Sequence, residues 1–278
     1  MTAPALAREA PGTGRVYDIP GRGALPSVTN VIDVMSKPAL AGWRGKVVAR
    51  WAFEHAVWLA GRAGRAAALD VAGRHADADA LREESIRWAR RAPDRRANRA
   101  AVLGTRVHAI AEAKARGAPA PAASPEEAAY VPGYDAFVAS FQPRFRRVET
   151  TVVNLTHGYA GTADALAALP ALNDALAVVD WKTSRTAVWP EVALQLAALA
   201  NAEFIIAADG TLTPMPSVVA GLAVRLHPTL DRGYAVWRAD IGPQTFQAFL
   251  GLLAAWPFYR NGERTLAGPI QSPEELIA

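Results

Sequence analysis

Cysteine is absent from this 278-residue chain. That excludes disulfides, thiolate zinc sites, iron–sulfur clusters and cysteine nucleophiles together. Histidine is scarce, at five residues, and none of them forms an H-x-H or H-E-x-x-H pattern, which disfavours a small-molecule metallohydrolase built on clustered imidazoles. No apolar run approaches the roughly 18 residues that mark a transmembrane helix. The opening MTAPALAREAPGTGR lacks the apolar stretch of a secretory signal. A cytoplasmic protein without membrane contact is expected. Lysine is rare as well, supplying four of the 30 basic side chains, and one of the four follows an aspartate by two places.

What remains is ordinary globular material, 51% hydrophobic and 20% charged, sufficient for one large domain or two small ones. The net charge of +4 leans mildly towards polyanions. Residues 1–26, rich in Pro, Gly and Ala and without an apolar period, read as a flexible leader. Residues 27–278 read as a single domain, with a helical part over about 27–100 and a core over about 101–260. SVTNVIDVMS opens at a Ser/Thr cap. Trp43, Val47, Trp51 and His55 recur at fourfold spacing, as the core face of a helix does. Helices are predicted over 75–92, 95–116 and 126–142. The period then changes to two, and 146–154, 157–169 and 175–183 read as consecutive strands, the last two joined by PALND. PEVALQLAALANAEF (190–204) is helical, VVAGLAVRLH and GYAVWRADI form a strand pair, and an amphipathic helix from Pro243 follows. The class is α/β, a mixed central sheet flanked by helices, with a helical N-terminal half.

Side chains alternate across a strand, so Asp180 and Lys182 of LAVVDWKTSR share one face, while Trp181 points to the other with Val179 and Ala177. A simple ion pair accounts for the two charges taken alone. Asp164, among the small and apolar residues of GYAGTADAL, would be costly to bury unpaired. If the two strands form a hairpin it approaches Asp180, and two close carboxylates call for a shared proton or a cation. Gly158 and Gly161 fit a place where a ligand nears the backbone. His108 shares its helix with Leu103, Val107 and Ile110. It is either an ordinary packed or surface residue or a ligand, with Gly104 leaving room one turn before it and Glu112 one turn after. Gln195 is either an edge amide or one that faces a polar site. Glu149 is similarly either a residue facing a polar site or, by default, a surface carboxylate.

Taken in order, Gly-x-x-x-His, Gly-x-x-Asp, Asp-x-Lys and the glutamine helix resemble the PD-(D/E)XK nuclease superfamily, in its RecB-like branch with the CRISPR-associated and phage exonucleases. The resemblance covers about residues 102–206, with a weaker likeness at LPSVTNVIDVMSKPALAGW. It implies a restriction-endonuclease-like core and a metal-dependent DNA exonuclease of recombination, repair or DNA processing, phage-encoded and so working in the host cytoplasm. By similarity His108, Asp164, Asp180 and the Trp181 carbonyl would hold Mg2+ or Mn2+, with Asp164, Asp180 and Lys182 catalytic. Gln195 would match the glutamine of a Gln-x-x-x-Tyr motif, whose tyrosine position is here Leu199. Ala163 replaces the proline of the superfamily's name, and the lack of cysteine implies the cluster-free kind. Ser184 and Arg185, with Arg95, Arg96 and Arg99 of the arginine-rich 81–100 stretch, are candidate DNA contacts. Implied partners are single- or double-stranded DNA ends and a recombinase or single-strand-annealing protein. The rival reading is a non-cutting DNA-binding or assembly protein on the same scaffold.

Overall fold

Three short strands come first in the computed structural model of the chain, which describes residues 6–11, 14–35 and 37–261. Strands β1 (Ala7–Ala10), β2 (Gly14–Ile19) and β3 (Gly23–Pro26) form an antiparallel sheet. This corrects the expected flexible leader. The Pro and Gly residues punctuate hairpins, with Gly21 and Gly23 at positive φ in the β2–β3 turn, where glycine alone avoids a steric cost. Tyr17 and Ile19 are buried against Val153, Ala160 and Ile206, and the Tyr17 hydroxyl meets Thr162 Oγ1 at 2.8 Å. The expectations for residues 1–5, 12–13, 36 and 262–278 lie outside the described residues.

Helix α1 (Val28–Ile32) starts where the Ser27 side chain accepts the Asn30 N–H, the cap that the sequence announces. Helices α2 (Pro38–Glu54), α3 (Ala56–Val71), α4 (His75–Arg90) and α5 (Ala92–Ala115) follow. The chain divides into two compact units, Ser36–Leu103 and the remainder. The boundary falls within α5. In the helical unit Val47, Ala66 and Ala78 are buried, and Arg62 of α3 ties to Ser85 and Glu84 of α4. The fourfold tryptophan face is not a deep core. His55 ends α2 and stacks on Trp51 with ring centroids 4.5 Å apart. Trp58 stays 39% exposed.

In the other unit, α6 (Pro125–Ala128) and α7 (Val131–Phe141) lead to β4 (Arg144–Asn154), β5 (Tyr159–Ala168) and β6 (Leu176–Lys182). The β5–β6 turn holds a 3-10 turn over Pro170–Leu172, with Asn173 and Asp174 both left-handed. Then come α8 (Glu191–Ala200), β7 (Phe204–Ile206), β8 (Leu212–Pro214), β9 (Val218–Leu226), β10 (Tyr234–Ala239) and α9 (Pro243–Asn261). Seven strands make a mixed sheet in the order β10-β9-β6-β5-β4-β7-β8. All its pairs are antiparallel except β6 with β9. That parallel pair is covered on both faces, which is why both strands read as nearly unbroken apolar runs.

One face carries α1, α8 and α9, with Val28, Leu196, Leu199 and Phe249 packed on Val152, Leu166 and Val178. Across the sheet Trp181 is buried among Tyr134, Phe137 and Phe145. The mixed sheet flanked by helices is the architecture the periodicities predict. Among the described residues no helix is long and apolar enough to cross a membrane.

Candidate active site

The ladder between β5 and β6 ends at the pair Ala165 and Val179. One further step would set Asp164 against Asp180. Instead the Asp164 Oδ2 accepts the Trp181 N–H at 2.7 Å, a carboxylate taking the place of a ladder carbonyl. β6 stays paired to β9 on its other side as far as Lys182 opposite Arg225. The two strands therefore part where their two acids lie.

Asp180 is 3% exposed. Gln195 of α8 donates from Nε2 to its Oδ1 at 2.8 Å, and its own Oε1 accepts from Lys182 Nζ at 3.1 Å. Lys182 Nζ lies 2.7 Å from Asp180 Oδ2. That contact ion-pairs Oδ2 with the ammonium, and among the described residues no other donor reaches it. On the other side His108 Nδ1 is 3.4 Å from Asp164 Oδ2. Gly104, one turn before His108, has Thr183 Oγ1 3.0 Å from where a Cβ would stand. The room beside His108 is thus filled by the residue that follows the lysine.

The electrostatics push the two acids apart. Burial works against the Asp164 charge, but His108, the Trp181 N–H and Lys182 outweigh it and hold the carboxyl below its ordinary range. For Asp180, burial reinforced by the Asp164 charge outweighs Lys182 and raises the carboxyl. Burial alone would lower Lys182 and His108; the nearby aspartates outweigh it and raise both.

The donor set of two carboxylates and an imidazole suits a divalent cation, and the Asp180 oxygen held only by the Lys182 ammonium has a lone pair left for such an ion. The same carboxylates are meanwhile engaged by Lys182, Gln195, His108 and the Trp181 main chain. Among the described residues no three His, Cys, Asp or Glu side chains converge as a ready-made metal cage. Trp181 enters the site through its N–H.

Several sequence readings change. Gly161 serves packing rather than ligand approach, since a Cβ there would stand 2.7 Å from Leu199 Cδ2 and 2.9 Å from Val28 Cγ2. Leu199 is a core residue seated over that glycine. Gly158 makes the β4–β5 turn at positive φ. Glu149 is not a surface carboxylate. It stands opposite Asp164 in the β4–β5 register, half-buried and left-handed at φ 51. Burial, then Asp164 and Glu112, raise it to about 7.

Ser184 and Arg185 lie on the irregular 183–190 segment after β6. The Ser184 hydroxyl donates to the Ala187 carbonyl at 2.6 Å, and Arg185 is exposed. Arg95, Arg96 and Arg99 are exposed and belong to the helical unit, Arg95 lying 5.1 Å over the Trp88 ring. Arg225 escapes sequence reading. Buried in β9, it donates from Nε to the Ser184 carbonyl at 2.7 Å and from Nη2 to that of Arg185. An arginine inside the otherwise apolar VVAGLAVRL was the available signal.

No family model and no curated protein match the chain. Solved structures do. It is similar to an alkaline exonuclease, LHK-Exo, from Laribacter hongkongensis, at 12% identity over 56% of this chain and 78% of that one, with a TM-score of 0.35. It is also similar to a protein designated SSO0001, at 15% identity over 50% of this chain and 59% of that one, with a TM-score of 0.28.

Proposed function

We propose that the protein is a divalent-metal-dependent DNA exonuclease. The observation that carries this reading is a buried carboxylate, Asp180, paired on one oxygen with a lysine ammonium and on the other with a glutamine that also holds that ammonium, near a second acid, Asp164. A structural ion pair has no need of the second acid or of the glutamine that bridges the pair. Asp164 and Asp180 would hold the cation, with His108 beside Asp164 and the Trp181 carbonyl a further donor. The ion would supply Lewis acidity, neutralising charge on the phosphodiester and lowering the pKa of its water.

The residues have distinct tasks in this scheme. Lys182, its ammonium raised by the aspartates, places positive charge at the attacked phosphate and orients the attacking water. Gln195 holds both Lys182 and Asp180, so their separation is set before substrate arrives. The Trp181 N–H and His108 fix Asp164. Ser184 and Arg185 would touch the scissile strand, and Arg95, Arg96 and Arg99 would contact the DNA backbone. An imidazole donor suits manganese better than magnesium; both should support cleavage, with manganese at least as good. A phage origin, a role in recombination or repair and a recombinase or annealing partner belong to the same reading, as does action in the host cytoplasm.

A non-cutting DNA-binding protein on this scaffold is the second reading, favoured by the absence of a ready-made cage among the described residues. One experiment separates the two. End-labelled linear and closed circular DNA are incubated with wild type and Asp180→Ala, with EDTA, magnesium or manganese. Loss of linear DNA alone, dependent on metal and abolished by the substitution, is expected. DNA that binds yet stays intact with either metal would sink the nuclease reading.

A further inference from the structure

Arg225 is a buried charge beside this site that the scheme above does not use. It is 7% exposed, on a strand paired on both edges, opposite Lys182 in the parallel β6–β9 register. Among the described residues no carboxylate forms an ion pair with it, and a guanidinium sequestered without a counter-charge is expensive to keep. Its observed partners are two successive main-chain carbonyls, Ser184 at 2.7 Å and Arg185. A planar fork of donors can satisfy two neighbouring carbonyls at once, which a lysine ammonium on its flexible stem does poorly.

Those carbonyls belong to a segment outside the sheet and the helices. Residues 183–190 form neither helix nor strand, and Lys182 is the last paired residue of β6. The observed anchors after it are Thr183 against Gly104, the fork of Arg225, the Ser184 hydroxyl on the Ala187 carbonyl, and Val188 packed on the core further along. We propose that Arg225 is a positioning residue for DNA cleavage, pinning the Ser184 and Arg185 carbonyls and so fixing the backbone from which Lys182 reaches Asp180 and Gln195. The inference rests on the nuclease reading.

The test compares wild type with Arg225→Lys, which keeps the charge, and Arg225→Met, which keeps the stem, in manganese-supported cleavage and in amide hydrogen exchange. In Arg225→Lys, kcat should fall by about a hundredfold, the scale of an ångström-sized misplacement, while KM holds within roughly threefold. Amides of 185–188 should exchange faster, with β6 and β9 still protected. Arg225→Met should share the segment-specific exchange if it folds; the lysine variant carries the test if it does not. An active wild type with an unimpaired Arg225→Lys overturns this inference alone, as does a change in KM only or a loss of protection spread over the whole sheet. A wild type that cuts nothing overturns the nuclease reading and, with it, any reaction for Arg225 to serve.

Discussion

Glu149→Gln should stabilise the metal-free protein at neutral and alkaline pH and leave it unchanged in acid. Burial, with Asp164 and Glu112 adding to it, raises the Glu149 carboxyl from its ordinary 4.5 to about 7. The folded state therefore binds that proton more tightly than the unfolded chain. The stability contributed by protonation is fully present below 4.5 and is lost as pH rises through about 7. At about 1.4 kcal/mol per pH unit the whole loss is about 3–4 kcal/mol, an upper value because the half-buried side chain keeps some contact with water. Glutamine imitates the protonated acid and does not titrate. The left-handed backbone at this position is common to both proteins and cancels. Urea unfolding of both in EDTA, stepped from pH 4.5 to about pH 8, should show a difference near zero at the acid end that grows through the window to about 2–3 kcal/mol. A difference that stays flat, or shrinks as pH rises, would refute the argument that Glu149 faces Asp164 out of water.

Three further outcomes are expected. Gly104→Ala should raise helix stability by up to about 1 kcal/mol in thermal unfolding, yet slow cleavage about tenfold, because the new Cβ would sit 3.0 Å from Thr183 Oγ1; adding Thr183→Ala should restore the rate. Gln195→Leu leaves the buried Asp180 Oδ1 without its donor, which should cost about 1–3 kcal/mol in urea unfolding and reduce kcat far more than DNA affinity. Arg95, Arg96 and Arg99 changed together to alanine should flatten the salt dependence of DNA binding by a slope of about 2–3, measured by fluorescence anisotropy; an unchanged slope removes them from the footprint.

The chemistry-bearing stretch was legible because its pattern is local. A period of two puts Asp180 and Lys182 on one face of β6 whatever surrounds them, and the hairpin through PALND brings β5 alongside. The strand run and α8 emerged from periodicity for the same reason. Short strands are another matter. The sheet over 7–26 has elements of four to six residues, too few for an apolar period to emerge, and its Pro and Gly residues resemble those of a loose segment. Only the packing of Tyr17 and Ile19 on Val153 and Ala160 reveals it.

From the chain alone one could determine which residue types lie on one strand face, one helix turn or one hairpin, since φ/ψ periodicity makes neighbours out of residues two, three or four apart. The tertiary structure decided what each was for. Gly161 became the seat of Leu199, Glu149 became a strained, half-buried acid against Asp164, the tryptophan face came out only half-buried, and Arg225 found the two carbonyls beyond Lys182. Each of these depends on burial and on a partner from another element. Local spacing carries no record of either, because the free energy of an ionised or packed side chain is set by what the fold removes from water around it.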